Sequence, residues 1–304
     1  FCLLDLLWKD GVEAISPTFV TCSATDLRKA LLVLREARKQ HVRNRCKLLG
    51  AHLEGPFLSR KFIGAHNQDY LISPDLKELD KRIQNFESEI ALVTLAPELP
   101  GAMDLIKRLR GLGITVSLGH SSANEEVAKE SFQNGLSMLT HVFNAMPGLL
   151  HRSPGPIGEA INNGNISLGL IADGVHVHPQ IATFLHKLAP KQLVLVSDAI
   201  APYGLEDGQY FWDQRIIFSK KGSCRLANGT LVGVTLPLLD GCRNLAKWTG
   251  DSASSIWSAT IAPRQVLSRK NLLSQDYLVG KSLKELLRWE TDLVNNQLFW
   301  RSAA

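Results

Sequence analysis

The sequence has few cysteines and no long apolar segment. Its five cysteines are an odd number and include no Cys-x-x-Cys pair, which argues against a disulfide framework. No apolar stretch approaches the ~20 residues that a membrane-spanning helix needs. The N-terminus also lacks a basic region followed by an apolar signal segment. We therefore expect a cytoplasmic protein with reduced thiols and no membrane segment.

An excess of one charge sign is also absent. The chain has 34 Lys and Arg residues against 29 Asp and Glu residues, and the resulting net charge of +5 favours anionic ligands only mildly. Nucleic acid is therefore not an expected partner. What the sequence does contain is a 45% hydrophobic fraction and no biased segment, which predicts a large packed core in a chain of 304 residues.

Strand-like apolar segments alternate with helical patterns along most of the chain. They lie at 14–20, 47–53, 90–96, 114–119, 137–141, 166–172 and 193–197. This alternation predicts an α/β fold built from repeated βα units around a parallel sheet. A (β/α)8 TIM-type barrel is favoured over a doubly wound sheet, because polar residues follow strands throughout the series. Such a barrel has eight strands, so we expect the first to be missing.

The segments after the last strand predict smaller β structures. Two alternating stretches, 210–218 and 224–232, flank Lys220-Lys221-Gly222 and predict a hairpin insertion near the mouth of the barrel. Aromatic and apolar residues near the C-terminus predict a small residual β appendage. We therefore divide the chain into a barrel at 1–267, with the hairpin as an insertion, and a β-rich appendage at 268–304.

Four polar residues, Glu54, His120, His141 and Asp198, each stand at the end of a strand-like segment. The carboxyl ends of parallel barrel strands share one mouth, so these side chains should converge there. Two imidazoles and one carboxylate suit zinc, although iron, cobalt and manganese accept the same ligands. Asp198 could then take a proton from a metal-activated water. Helix capping remains the alternative for any one of these residues.

Short motifs in a fixed order carry a family resemblance. They are His52-Leu-Glu-Gly-Pro-Phe57, Gly64-Ala-His66, Leu118-Gly-His-Ser121, Thr140-His-Val-Phe-Asn-Ala-Met-Pro147, Ala172-Asp-Gly-Val-His176 and Val196-Ser-Asp-Ala199. The set resembles the N-acetylglucosamine-6-phosphate deacetylases of the amidohydrolase superfamily. The resemblance implies a homodimer that hydrolyses N-acetylglucosamine 6-phosphate to glucosamine 6-phosphate and acetate.

The resemblance also implies roles for individual residues. Glu54, His120 and His141 would hold one divalent metal, and Asp198 would act first as the catalytic base and then as the acid. His66 would help to polarise the acetamide carbonyl, and Arg152 would bind the phosphate. The full substrate-binding set that it implies is Ala65, His66, Asn144, Ala145, Arg152, His176, Leu231, Val232 and Gly233.

Some features of the sequence keep other readings open. His176 and His178 form a His-x-His pair, but its position late in the series favours substrate binding by His176 and a helix entry at His178. The segment Val234 to Pro237 departs from the small residues usual in the family. The alternatives are a deacetylase for another N-acylated amino sugar, or a truncated, catalytically impaired homologue that binds a sugar phosphate or a partner.

Overall fold

The structure is a computed structural model that describes residues 2–40, 42–267, 281–292 and 297–304. The α-helices are α1 Cys2–Lys9, α2 Ala24–Lys39, α3 Leu76–Ile83, α4 Ala102–Gly111, α5 Glu125–Gln133, α6 Gly155–Asn163, α7 Pro179–Leu188, α8 Leu238–Thr249 and α9 Ser252–Val266. The strands are β1 Ala14–Ile15, β2 Thr18–Val20, β3 Lys47–Leu48, β4 Ala51–Glu54, β5 Ile90–Leu95, β6 Thr115–Leu118, β7 Met138–Leu139, β8 Ser167–Leu170, β9 Leu193–Leu195, β10 Gly208–Trp212, β11 Arg215–Lys220, β12 Ser223–Leu226, β13 Leu231–Val234, β14 Leu287–Asp292 and β15 Gln297–Ser302.

The predicted alternation of strands and helices is confirmed as a curled, seven-stranded parallel sheet. The strand order is β2-β4-β5-β6-β7-β8-β9, and an α-helix lies between each pair of neighbouring strands along the chain. The register sets Glu54 opposite Thr94 and Thr94 opposite Ser117. Because all seven strands point the same way, residues at their carboxyl ends face a common side of the sheet.

The helices cover the outer face of this sheet through apolar stripes. In α2, Leu27, Leu31 and Leu34 recur at helical spacing and are buried. The side chain of Ser23 accepts a hydrogen bond from Asp26 N and caps the start of this helix. The same pairing of cap and buried stripe recurs in α3 and α5.

The first two strand-like segments are each divided into two strands by a two-residue break. Pro17 has no N–H to donate, and it separates β1 from β2. Gly50, with φ +137°, separates β3 from β4. The leading pieces β1 and β3 pair with each other as a separate two-stranded parallel sheet, so only the trailing pieces enter the central sheet.

The expected hairpin after β9 is a larger structure. Strands β10, β11, β12 and β13 form a four-stranded antiparallel sheet, which we call the accessory sheet. The turn at Lys220-Lys221-Gly222 joins β11 to β12, as the alternating pattern predicted. The last strand of the accessory sheet, β13, returns to the central sheet, where Val234 N donates to Asp198 O at 2.9 Å.

The C-terminal strands β14 and β15 form an antiparallel pair, as expected of a β appendage. Leu298 of β15 is buried in the main core, and Arg243 Nε of α8 donates to its carbonyl oxygen at 3.1 Å. Residues 268–280 and 293–296 of the predicted appendage lie outside the described residues, and the division at 267/268 stays a prediction. In the described part of the chain, no helix is both long and apolar enough to cross a membrane.

Candidate metal centre and active site

The three predicted metal ligands converge at the carboxyl edge of the sheet. Glu54 is the last residue of β4, and His120 and His141 each lie two residues beyond the ends of β6 and β7. Glu54 Oε1 is 3.4 Å from His120 Nε2 and 3.1 Å from His141 Nε2, and the two Nε2 atoms are 3.2 Å apart. All three side chains are buried. The strand ends therefore bring together three metal-ligating atoms from distant parts of the chain.

A shared backbone feature aims several of these side chains at the mouth. His120, His141 and Asp198 have φ values of +48°, +30° and +52°, a left-handed region that residues other than glycine seldom occupy. Each follows the end of a parallel strand. Backbone strain of this kind persists where the surrounding structure enforces it, and it is concentrated at functional sites.

The hydrogen bonds of His120 favour metal binding. Its Nδ1 lies 2.9 Å from the carbonyl oxygen of Phe62, so the N–H is on Nδ1 and the lone pair of Nε2 faces Glu54 and His141. A carbonyl partner on the far nitrogen is the usual support of a metal-binding histidine. Two imidazoles and one carboxylate are also a donor set that zinc accepts. The residues present therefore fit a divalent metal.

The protonation of this triad reflects its close packing. Burial would raise the pKa of Glu54, but the imidazoles of His120, His141 and His66 around it hold that pKa well below its ordinary value. Burial would lower the pKa of His141, but its hydrogen bond with Glu54 and the charge of that carboxylate raise it to about 9. In the protein alone an ionised carboxylate thus stands beside a protonated imidazole, and a cation could take the place of that proton.

Asp198 stands beside the triad, three residues beyond the end of β9. Burial raises the pKa of its carboxyl, with the charge of Glu54 adding to the effect and His141 opposing it. Its backbone is held by β13, since a Cβ on Gly233 would lie 2.6 Å from Asp198 O. Only glycine allows this approach, so the accessory sheet supports the backbone of the predicted catalytic aspartate.

The loop after β4 brings His66 to the triad. His66 Nε2 lies 3.5 Å from Glu54 Oε2, and its ring packs edge-on against His120 with centroids 4.4 Å apart. Gly64 makes the approach possible, since a Cβ there would lie 3.1 Å from His120 Cε1. Arg215 of β11 donates to Ala65 O at 2.8 Å and ties this loop to the accessory sheet.

A cavity of about 710 Å³ opens over these residues. The predicted site residues that line it are Glu54, Ala65, His66, His120, His141, Asn144, Ala145, His176, Asp198, Leu231 and Val232. The structure thus brings nearly all of them to one space. Two predicted residues are placed elsewhere: Arg152 lies exposed in the turn after β7, and Gly233 lies against the backbone of Asp198. Their roles in substrate binding stay predictions.

His176 and His178 occupy different environments, as the sequence indicated. His176 Nδ1 is 2.7 Å from Asp173 Oδ2; both side chains are buried, and His176 lines the cavity. This contact places the proton on Nδ1 and leaves Nε2 for another partner. The His178 side chain instead accepts from Gln180 N and caps α7, which confirms the predicted helix entry.

Sequence reasoning missed several residues that hold the site in place. Asp173 orients His176, Arg215 holds the His66 loop, and Glu98 accepts hydrogen bonds from Ser121 Oγ, Ser122 N and Ser122 Oγ beside His120. Asp173 was detectable, because an aspartate three residues before a histidine can form this local turn. The partners of Arg215 and Glu98 are distant in sequence and gave no local signal.

A glutamate and two histidines buried at the carboxyl edge of a curled parallel sheet, with an aspartate beside them, define a metal-dependent hydrolase of the amidohydrolase type. No protein-family model matches the chain. The chain is 34% identical to the N-acetylglucosamine-6-phosphate deacetylase of Vibrio furnissii, over 86% of its own length and 66% of that protein. It is 33% identical to the N-acetylglucosamine-6-phosphate deacetylase of Bos taurus, over 96% and 74%.

Two further comparisons agree with these relatives. The N-acetylgalactosamine-6-phosphate deacetylase of Escherichia coli O157:H7 is 33% identical over 87% of this chain and 70% of that protein. A mutant N-acetyl-D-glucosamine-6-phosphate deacetylase from Mycobacterium smegmatis, solved with N-acetyl-D-glucosamine-6-phosphate, superposes with a TM-score of 0.81 at 28% identity, over 87% and 70% of the two chains. The chain belongs to the family of the N-acetylglucosamine-6-phosphate deacetylases.

Proposed function

We propose that this chain hydrolyses the N-acetyl group of N-acetylglucosamine 6-phosphate, releasing acetate and glucosamine 6-phosphate. The observation that carries the proposal is the meeting of Glu54, His120, His141 and Asp198 at one cavity, in a member of this family. A carboxylate beside a three-ligand metal centre has the chemistry that amide hydrolysis needs.

The three ligands would hold a divalent metal, with zinc as our first expectation. When bound, such a metal polarises the acetamide carbonyl and lowers the pKa of the attacking water. His120 keeps its proton on Nδ1 against Phe62 O, so its Nε2 is ready to bind without a change of tautomer. His141 must release its proton, which Glu54 and Asp198 stabilise in the protein alone.

Asp198 carries the proton in the proposed reaction. Its carboxylate removes a proton from water while the water oxygen forms a bond to the acetamide carbon. When the carbon–nitrogen bond breaks, the same carboxyl group gives that proton to the departing sugar amine. A buried carboxyl with a raised pKa suits both directions of transfer, because it holds the proton between the two steps.

The other cavity residues would bind the sugar and the acetyl group. His66 lies close enough to the triad to donate a hydrogen bond to the acetamide oxygen as negative charge develops there. His176, held by Asp173, presents its free Nε2 to the sugar, and Ala65, Asn144, Ala145, Leu231 and Val232 form the remaining wall. We keep Arg152 as the proposed phosphate ligand and Gly233 as part of the substrate segment, both by resemblance.

A second candidate substrate is N-acetylgalactosamine 6-phosphate, which differs in the configuration at one sugar carbon. The E. coli relative named for that substrate is 33% identical to this chain, almost the same value as the relatives named for the glucosamine sugar. The metal chemistry would be the same for both. The two candidates are separated by measuring kcat/KM for each sugar phosphate under identical conditions.

The deciding experiment measures acetate release from N-acetylglucosamine 6-phosphate together with metal content on one purified sample. Turnover with about one metal per chain supports the proposal. Bound metal without turnover of either sugar phosphate would contradict it and favour the impaired homologue that binds a sugar phosphate or a partner. An Arg152→Ala variant with unchanged KM would contradict the phosphate assignment alone.

We also propose the finer features that the family resemblance implies. The seven parallel strands would belong to a (β/α)8 TIM-type barrel, with its remaining strand next to β2 and β9, the outer strands of the described sheet. The protein would work as a cytoplasmic homodimer on a small amino-sugar phosphate. Iron, cobalt or manganese would be accepted by the same ligands if zinc is not the native metal.

A further inference from the structure

A chain of polar side chains runs through the interior of the parallel sheet, one layer below the candidate metal centre. It links Thr18 on β2, His52 on β4, Thr94 on β5, Thr140 just after β7, and Ser117 on β6. The successive distances are 3.0 Å from Thr18 Oγ1 to His52 Nδ1, 2.7 Å from His52 Nε2 to Thr94 Oγ1, 2.7 Å from Thr94 Oγ1 to Thr140 Oγ1, and 2.6 Å from Thr140 Oγ1 to Ser117 Oγ. The side chains from His52 to Ser117 are all buried.

The direction of these hydrogen bonds follows from counting protons. Ser117 Oγ donates its single proton to the carbonyl oxygen of Met138, at 3.1 Å, because a carbonyl can only accept. Thr140 must then donate to Ser117, and Thr94 must donate to Thr140. Thr94 has no second proton, so it accepts from His52 Nε2.

The same count of protons determines which ring nitrogen of His52 is protonated. A neutral ring with its proton on Nε2 has an unprotonated Nδ1, which accepts from Thr18 Oγ1. A neutral ring protonated on Nδ1 would reverse the contact with Thr94 and leave one of the buried contacts without a proton. Of the two neutral forms, only the Nε2–H form fills every contact in the hydrogen-bond chain, and an unmade hydrogen bond between buried groups is costly.

The residues of the hydrogen-bond chain lie close in sequence to every metal ligand. His52 comes two residues before Glu54 on the same face of β4, Thr140 directly precedes His141, and Ser117 lies three residues before His120. Gly119 leaves space for the contact between Thr94 and Thr140, since a Cβ there would lie 2.8 Å from Thr94 Cγ2 and 2.9 Å from Thr140 Cβ. The ligand-bearing strands are thus joined by side chains directly below their ligands.

We propose that this one-way hydrogen-bond chain, with His52 as its Nε2–H tautomer, is a positioning device that sets the spacing of Glu54, His120 and His141 for metal binding. Its buried members, from His52 to Ser117, are positioning residues, because they lie outside the cavity lining and act through the ligands. The inference rests on the proposed function only in taking the triad as a metal site. A purely packing role would make the hydroxyl groups replaceable by methyl groups of the same shape.

The first test reads the tautomer in the unaltered protein. Long-range ¹⁵N–¹H correlation spectra of ¹⁵N-histidine-labelled protein, with His52 assigned through a His52→Gln variant, identify the ring nitrogen that carries the proton. We expect a neutral ring protonated on Nε2. A ring protonated on Nδ1, or on both nitrogens, at neutral pH would overturn the proposed direction of the chain. This measurement needs no substrate and no destabilising substitution.

The second test breaks the chain at its centre. Thr94→Val keeps the shape but removes the hydroxyl, and we expect zinc affinity to fall about 10–100-fold, the range found when partners of metal ligands are lost. Thr94→Ser keeps the hydroxyl and should restore most of the affinity. Thr115→Val is the matched control, because Thr115 is a buried threonine on β6 whose hydroxyl donates to Val266 O, away from the chain.

Activity then separates positioning from substrate binding. In Thr94→Val at saturating zinc, kcat should fall and KM for the sugar phosphate should stay the same. Equal zinc affinity in Thr94→Val, Thr94→Ser and Thr115→Val would overturn the positioning role. Zinc affinity and the tautomer are both measured without substrate, so their failure would leave the proposed deacetylation standing. Failure of acetate release alone would leave the positioning role standing.

Discussion

The two halves of the candidate site are held in place by different means. The metal-ligand half, on β4 to β7, is joined by side chains inside the sheet, from His52 through Thr94 to Ser117. The Asp198 half, after β9, is held from outside by backbone hydrogen bonds: Val234 N donates to Asp198 O and Ile200 N donates to Val234 O. Metal binding and proton transfer should therefore be separable by substitution.

The largest effect that would test this separation is expected from Asp198→Asn. The amide cannot accept the proton from water, so kcat should fall about 10³-fold. Metal content should not change, because Asp198 is not one of the three ligands. Metal content and acetate release measured on one sample check both statements. Asp207→Asn, in a loop outside the cavity lining, is the control, and loss of metal from Asp198→Asn would contradict the separation.

A smaller effect is expected from moving the Asp198 half without altering its chemistry. In Gly233→Ala the new methyl group would lie 2.6 Å from Asp198 O, so the backbone there must shift. A displacement of this kind costs about 10–100-fold in kcat, while metal affinity should stay unchanged. Gly111→Ala is the control, since nothing lies within 4 Å of a Cβ at that helix end. Full activity in Gly233→Ala would show that β13 does not position Asp198.

The metal-ligand half should show its own pH dependence in thermal unfolding. The pKa of His141 is raised from its ordinary 6.5 to about 9, so its stabilising contribution is complete below pH 6.5 and is lost as the pH rises through 9. The lowered pKa of Glu54 makes its contribution complete above about pH 4.5, with loss only at lower pH. Between pH 6.5 and 9.5 the Tm of the metal-free protein should fall by on the order of 5 °C more than that of Glu54→Gln.

Bound zinc should oppose the fall in Tm that the metal-free protein shows as the pH rises. A metal-binding imidazole must be unprotonated, so zinc affinity should rise with pH over the range in which the metal-free protein loses stability. Calorimetric scans with and without zinc at each pH measure both quantities. Identical Tm profiles for the metal-free protein and Glu54→Gln would contradict the pairing of Glu54 with a protonated His141.

The smallest effect is expected at the link between the two halves. Arg215→Ala removes the donor to Ala65 O and loosens the loop that carries His66. A hydrogen bond of this kind contributes about 1 kcal/mol, which corresponds to an approximately 5-fold rise in KM with little change in metal affinity. Arg225→Ala is the matched control, because Arg225 donates to Gly229 O within the accessory-sheet region. Equal KM values for the two variants would remove Arg215 from the site.

Much of the fold was predictable because the signals are local. The parallel strands and their helices follow from apolar runs, helix caps and periodicity, and these depend on neighbouring residues. The breaks at Pro17 and Gly50 and the four strands of the accessory sheet were not predicted at this level of detail. In both places hydrogen-bond pairing with distant segments decided which residues count as a strand.

The sequence by itself determined which residues meet at the candidate site, since Glu54, His120, His141 and Asp198 are each at the end of a recognisable strand. Parallel strands of one sheet present their carboxyl ends together, so convergence follows from topology alone. Only the tertiary structure decided the state and support of these groups: the raised pKa of His141, the place of Gly233 against Asp198 and the hydrogen-bond chain through Thr94. Those properties depend on distances between atoms far apart in sequence and on the exclusion of water around them, and neither is encoded at any single position.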